Sequence, residues 1–360
     1  MSARSVLSVL DPEKYDVMPI GITQQGVWVT NTGPYSAETG LALVQALWDR
    51  KLDGLTRVTM LPEQGQKTVY AIRQSGAGQQ LEPLAELDVI FPVLHGTFGE
   101  DGTVQGLFEL ADIAYVGANV LGSSVGMDKA LFKDVMRANG LPVLESITVT
   151  RGEIQREPQS VIAQAEALSA YPLFTKPANL GSSVGITKCR NRSDLYEGLM
   201  EAASYDRRVL VERGLPNARE IEVSVLGNNK PQASVPGEVR PSGDFYTYEA
   251  KYEDDRSELV IPAALPDAII QRIRELAVLA YQAVDGAGMA RIDFLLDERT
   301  GEVYIGELNT IPGFTRISMY PKLWEASGLP YKQLVDRLIE LALERKEERD
   351  HTERQFRRKR

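Results

Sequence analysis

Met289-Ala-Arg-Ile-Asp-Phe-Leu-Leu296, followed by Val303-Tyr-Ile-Gly-Glu-Leu-Asn309, is the stretch on which the reading turns. Asp297-Glu-Arg-Thr-Gly301 between them has a turn composition, so the two segments are expected to pair as an antiparallel hairpin. Side chains alternate along a strand, which puts Arg291 and Asp293 on one face of the first segment and Glu307 and Asn309 on one face of the second. In either register the odd-numbered residues of both strands are expected to face the same way, with cross-strand neighbours roughly 4.5–8 Å apart. Ala290, Ile292, Phe294 and Leu296 supply the apolar face. Two carboxylates and an amide oxygen without histidine suit Mg²⁺ or Mn²⁺, which keep waters and take further ligands from phosphates. The same pattern also reads as a polar sheet face with Arg291 as a salt-bridge partner. The loop Thr310-Ile-Pro-Gly313, able to aim backbone N–H groups, favours the metal.

Composition points the same way. The chain has 360 residues, 43% hydrophobic and 25% charged, as expected of two or three globular domains. A net charge of −10 argues against a general nucleic-acid binder. Cys189 stands alone and only His95 and His351 are present, so an internal disulfide, a thiolate cluster and a multi-histidine zinc site are excluded. No stretch approaches the ~20 apolar residues that span a bilayer, and Asp11, Glu13 and Lys14 interrupt any signal-peptide pattern. The expectation is a cytoplasmic enzyme using an oxygen-bound cation.

Working outward, residues 1–122 read as α/β: a short helix carrying Val6, Leu7 and Leu10, a strand over Val17–Ile22, a helix over Ala37–Trp48 and an apolar strand over Val89–Leu94. His95 then sits at a strand's carboxyl end, where open α/β sheets place ligands, and Thr103 is expected to cap the helix Val104–Leu110. Residues 123–215 read as a small α+β unit opened by a helix over Asp128–Asn139, and residues 216–345 as a second unit with the hairpin. Residues 346–360 are a charged tail, and everything from Glu344 onward is expected to fray into solvent. Leu-Gly-Ser-Ser-Val-Gly occurs at 121–126 and again at 180–185, read as two loops of similar chemistry.

Phe174-Thr-Lys-Pro-Ala-Asn-Leu-Gly-Ser-Ser-Val-Gly185 is a second candidate site. Lys176 ends a strand, and the Gly181-Ser182-Ser183 loop offers N–H groups and hydroxyls that could cover a phosphate or simply connect a hairpin. Neither Gly-x₄-Gly-Lys-Ser/Thr nor Gly-x-Gly-x-x-Gly after a strand occurs. Lys129 is a second candidate cation. Val209-Leu-Val-Glu-Arg-Gly-Leu215 and Glu220 read either as a purine-and-ribose contact or as a strand and domain joint.

In order, these elements resemble the D-alanine–D-alanine ligase family of ATP-grasp enzymes, together with His95-Gly-Thr-Phe-Gly-Glu-Asp-Gly-Thr-Val-Gln-Gly106, Met127-Asp-Lys129, Tyr248-Glu-Ala-Lys-Tyr252 and Pro312-Gly313 with Ser318. The resemblance implies an ATP-grasp fold behind a Rossmann-like N-terminal α/β domain. It implies that Lys129 and Lys176 hold ATP phosphates under the loop Gly181, Ser182, Ser183 and Val184. Glu212, Arg213 and Leu215 would face adenine, and Glu220 the ribose. Asp293 and Glu307 would bind one Mg²⁺ or Mn²⁺, and Glu307 and Asn309 another. Arg291 and the Gly313 N–H would stabilise an oxyanion. Ser318 and Lys251 would hold the second substrate's carboxylate, with His95 near the first substrate. Tyr248–Tyr252 would form a lid, Lys251-Tyr252 favouring a dipeptide over an ester product. A homodimer is also implied. Family members open with a strand and a loop of the form Glu-His-Glu-Val-Ser. Met1–Leu7 aligns with the helix beyond that loop, so a gap in the N-terminal sheet and weaker binding of the first D-alanine are expected.

Overall fold

The computed structural model describes residues 1–76, 78–181, 183–240 and 258–353. Ser182, Lys251 and Tyr252 therefore lie outside the described residues, as does the rest of the expected lid segment.

The hairpin forms over Met289–Asp297 and Val303–Asn309, closed by the Asp297–Gly301 turn. It is the core of a six-stranded sheet in which Ala218–Leu226 pairs antiparallel with Met289–Asp297, and Gly237–Arg240 and Glu258–Val260 continue the order outward. Gln232–Ala233 and Gly237–Arg240 form two separate strands. Val235 and Pro236 lie between them. Ile221, Val223, Val225, Ala290, Ile292, Phe294, Ile305 and Leu308 form one face, buried under Ile273, Leu276, Ala277 and Ala280 of the helix Asp267–Ala283. Each large side chain sealed there contributes about 1.5–3 kcal/mol, enough to fix which strand face is inward.

A second, four-stranded antiparallel sheet runs in the order Thr187–Cys189, Leu173–Pro177, Arg208–Arg213, Ser146–Thr150. The helices Pro158–Leu168 and Arg192–Tyr205 cover one of its faces through Val161, Ile162, Leu195 and Leu199. The N-terminal region holds a five-stranded antiparallel sheet, in which Gly21–Ile22 is all that forms of the strand expected from Val17. Its parallel element is short: Val89–Ile90 pairs with Ala114–Tyr115. The helix Ala37–Trp48 has the expected bounds, its start fixed by a reciprocal Ser36–Thr39 cap. Thr103 proves to be the first helical residue and not the cap. Gly102 is the N-cap, and Asp101 Oδ1 takes the Thr103 N–H instead.

Two expected boundaries fall inside helices. Val120–Met127 spans the 122/123 division, and Tyr331–Asp350 runs through 345/346. The last helix does not fray from Glu344. Arg345 and Arg349 both pair with Glu109, Lys346 and Arg349 with Asp112, and Arg345 donates to Gly117 O at 2.5 Å. Its charges bind the N-terminal region, which a count of charges along the chain does not register. No helix of the described residues is long and apolar enough to cross a membrane.

Candidate active site

Across three strands the polar face of the larger sheet is ordered in rows. Glu222, Asp293 and Glu307 stand opposite one another in register, and Ser224, Arg291 and Asn309 form the next row. A β-bulge makes this possible. Near the turn Phe294 pairs with Ile305 and Leu295 with Tyr304, a register that would put Asp293 opposite Gly306 and turn Glu307 to the apolar side. One extra residue shifts the pairing so that Asp293 meets Glu307 and Arg291 meets Asn309. Gly306 lies at the shift, where a side chain would begin 3.1 Å from the Asp293 carbonyl oxygen. Odd-numbered residues therefore share a face only beyond the bulge.

Arg291 organises this face. Its Nε and Nη2 donate to Asp293 Oδ1 and Oδ2 at 2.7 and 2.6 Å, and its Nε lies 3.0 Å from Glu222 Oε2. Burial alone would lower the guanidinium's pKa, but Asp293, then Glu222 and Glu307, hold it well above the ordinary value. Asn309 Nδ2 donates to Asp293 Oδ2 at 3.2 Å, so turning its Oδ1 inward requires an amide flip.

The cations come from the other side. Lys129, the first residue of the helix Lys129–Ala138, sends Nζ to Leu180 O at 2.7 Å and lies 3.6 Å from Glu307 Oε2. It thus joins the Gly/Ser loop to the hairpin. Asp128 caps that helix by accepting from Leu131 N, and pairs with Arg208. Lys176 points to Glu212, Nζ to Oε2 being 2.5 Å, and Glu212 also pairs with Lys133. Burial would raise the Glu212 carboxyl, but the two ammonium groups outweigh it and hold it at about 2. The Glu212 carboxylate is committed to these lysines. Arg213 is likewise engaged, with Nε 2.6 Å from Glu145 Oε2 and its guanidinium over the Tyr304 ring. Leu215 is half-buried just beyond that strand, and Glu220 lies on the same sheet as the hairpin.

The loop after Asn309 closes the site from the N-terminal side. Glu100 is buried and accepts from Gly96 N at 2.6 Å and Ile311 N at 3.1 Å, tying the His95 loop to the Thr310–Gly313 loop. Burial dominates its titration. The two N–H groups and Arg291 oppose that, Glu307 adds to it, and the carboxyl is pushed up to about 7. His95 makes hydrogen bonds through Nδ1 with Ile311 O at 3.0 Å and through Nε2 with Ser2 Oγ at 2.9 Å. Burial, above all, lowers its pKa. Ser2 Oγ also accepts from Phe314 N. Ser318 Oγ accepts from Thr315 N at 3.1 Å and sits beside Gly313.

The structure therefore brings Asp293, Glu307, Asn309, Arg291 and Lys129 together, with Lys176 and Gly181 adjoining. A side chain at Gly181 would begin 3.7 Å from the Gly96 Cα, which brings the loop over the His95 turn. Sequence reasoning missed Glu100, Glu222, Asp128 and Lys133. Glu100 stood inside a quoted motif, but nothing in one sequence announces a buried acid. Among the described residues no group of three or more His, Cys, Asp or Glu converges as a metal site. The donor set here is two carboxylates and one amide oxygen, which leaves positions for water and phosphate and fits a hard divalent cation.

Lysines on a small antiparallel sheet and its neighbouring helix, set across from carboxylates on a larger sheet, define an ATP-grasp protein. Residues 1–118 match the family described as D-ala D-ala ligase N-terminus, and residues 135–340 that described as D-ala D-ala ligase C-terminus. The chain is 45% identical to the D-alanine–D-alanine ligase of Natranaerobius thermophilus over 99% of its own length and 93% of the relative's. It is 49% identical to that of Ruminiclostridium cellulolyticum, over 97% and 92%. Among solved structures it resembles the D-alanine-D-alanine ligase from Coxiella burnetii (TM-score 0.79, 34% identity, 97% of this chain and 90% of that one). It also resembles the VanG D-Ala:D-Ser ligase from Enterococcus faecalis (TM-score 0.81, 34%, 95% and 94%). The chain belongs to the D-alanine–D-alanine ligase family.

Proposed function

We propose that this chain joins two D-alanines at the expense of ATP, giving D-alanyl-D-alanine, ADP and phosphate, in the cytoplasm, for peptidoglycan precursors. The carboxylate of the first D-alanine is phosphorylated. The amine of the second then attacks the acyl phosphate, and the tetrahedral intermediate collapses with loss of phosphate. The observation that carries this reading is the row Glu222–Asp293–Glu307, stabilised by Arg291 and reached by Lys129.

Asp293 and Glu307 would hold one Mg²⁺ or Mn²⁺, and Glu307 and Asn309 a second. When bound, the ions supply positive charge against the transferring phosphoryl group. Lys129 and Lys176 bind the phosphates as point charges, and the loop Gly181–Val184, including Ser182, covers them. The backbone of 212–215 receives adenine, and Glu220 the ribose. Arg291, already oriented by two carboxylates, and the Gly313 N–H stabilise the oxyanion of the tetrahedral intermediate. His95 faces the first substrate. Ser318 and Lys251 hold the second substrate's carboxylate, and Tyr252 acts from the lid. These residues work within one subunit of a proposed homodimer.

Likeness to a D-Ala:D-Ser ligase makes D-serine the second acceptor to test. Purified chain with ATP, Mg²⁺ and D-alanine, alone or with competing D-serine or D-lactate, is expected to release phosphate only with D-alanine and to form mainly D-alanyl-D-alanine. A predominance of D-alanyl-D-serine or ester overturns the acceptor assignment, and phosphate release indifferent to D-alanine overturns the ligase.

A further inference from the structure

Lys133 plays no part in the mechanism above, yet it is among the most deeply buried side chains, 1% exposed on the inner face of the helix Lys129–Ala138. A lysine so placed carries a desolvation penalty of several kcal/mol, and an apolar residue of similar volume would avoid it. What Lys133 meets there is Glu212 Oε1, while Glu212 Oε2 meets Lys176. One carboxylate is thus shared by two ammonium groups of different standing. Lys133 is sealed, with 2% of its side chain exposed, whereas Lys176 keeps 21% and opens toward the cleft.

Counting charge shows what the second lysine changes. Burial lowers the Lys133 pKa and contact with Glu212 opposes that; with all three groups ionised, Lys133, Lys176 and Glu212 together carry +1. Without Lys133 the pair that remains is neutral, and Lys176 faces Glu212 with Glu307 and Glu220 also acting on it. We propose that Lys133 is a positioning residue for the nucleotide: it neutralises Glu212 from behind, so that the positive charge of Lys176 is not offset and remains available to the phosphates. The inference rests on the reading of Lys176 as a phosphate ligand and deepens it. Arg137, one turn further along the helix, adds positive charge at longer range, and the Phe174 ring lies 5.8 Å from Lys176 Nζ. Neither supplies a cation in contact with Glu212. Glu212 is held ionised by the two lysines, which agrees with a charge shared between them.

The test is a charge-counting set measured by calorimetry with MgADP, with adenosine as a probe that lacks phosphates. Lys133→Met is expected to weaken MgADP about tenfold, the loss of one charge-assisted contact, while adenosine changes less than about twofold. It should also flatten the salt dependence of MgADP binding. Adding Glu212→Gln to Lys133→Met restores the +1 count, so the double variant should recover most of the MgADP affinity. Unchanged MgADP affinity in Lys133→Met, a parallel loss for adenosine, or no recovery in the double variant overturns the proposal. Should Lys133→Met not fold, Glu212→Gln alone decides: it frees Lys176 and should bind MgADP at least as tightly as the parent, and weaker binding contradicts the charge count. Lys176→Met separates the two layers. If it leaves MgADP unaffected, the phosphate role of Lys176 fails. If it weakens MgADP while Lys133→Met does not, only the role of Lys133 fails.

Discussion

Leu-Gly-Ser-Ser-Val-Gly at 121–126 is part of a helix, whereas the described residues of the same hexapeptide at 180–185 lie in a loop. The first copy follows Asn119, whose side chain accepts from Gly122 N and starts the helix Val120–Met127. Beyond the exposed Leu121 it is packed. Gly122 lies against the carbonyls of Val284 and Asp285, Ser124 Oγ donates to Asp101 O at 2.8 Å, Val125 enters the main core, and Gly126 lies against Leu308 and Thr310 beside the hairpin site. The second copy follows Pro177-Ala-Asn179, where the Asn179 N–H donates to Asp206 Oδ2 at 2.7 Å, and Gly185 at its far end packs against Tyr205 and Pro177. Leu180 O receives Lys129 Nζ, Ser183 has φ 59° and Val184 is exposed. The same sequence serves as packed frame in one place and as the proposed phosphate cover in the other because the surrounding structure and available neighbours, and not the hexapeptide's own propensity, decide.

The comparison breaks hardest at its glycines. A side chain at 122 would begin 2.8 Å from Asp285 O and 3.1 Å from Val284 O, both backbone atoms that cannot swing aside. Gly122→Val should therefore cost about 1–3 kcal/mol and lower Tm by several degrees. At Gly181 a side chain would begin 3.7 Å from its nearest neighbours, so valine should be tolerated with Tm changed by about 1 °C or less. Its effect should fall on nucleotide binding. Equal losses of Tm would abolish the distinction between frame and cover.

Valine offers a gentler version. Val125 is 7% exposed and Val184 36%, so Val125→Ala should destabilise by about 1.5 kcal/mol and Val184→Ala by less than about 0.5 kcal/mol in urea unfolding. Comparable values would show that the loop copy is packed after all.

The smallest effect concerns Glu212, which joins the two sides by binding Lys133 after the first copy and Lys176 before the second. Its folded pKa of about 2 lies below the ordinary 4.5, so its contribution is full above pH 4.5 and is lost as pH falls toward 2. At pH 4 the loss relative to neutrality should be roughly 1 kcal/mol, and Glu212→Gln should have a shallower acid limb. Superimposable acid limbs would remove Glu212 as the source.

These contrasts show where the sequence was legible. The hairpin strands and the helix Ala37–Trp48 were readable because periodicity and turn or cap residues agree locally. The grouping of Asp293 with Glu307 and Asn309 was also expected, but its physical cause is the bulge at Gly306, which alternation alone does not reveal. The helical form of residues 121–126 was not readable, since glycines and serines favour loops until Asn119 and a facing surface are taken into account. Lys133 looked like any polar residue on a helix. Its burial depends on Glu212, 79 positions away, and long-range pairing of this kind leaves no local trace. The basic residues of the last helix were hidden for the same reason, their partners Glu109 and Asp112 lying in the N-terminal region.

The central claim is that Asp293, Glu307 and Asn309 hold divalent cations beneath a nucleotide. Mn²⁺ titration followed by electron paramagnetic resonance, in the presence of ADP, tests it without requiring turnover. The account predicts Mn²⁺ binding to the parent chain that weakens at least about tenfold in Glu307→Gln, with an unchanged melting curve. Equal Mn²⁺ affinity in the two proteins would contradict it.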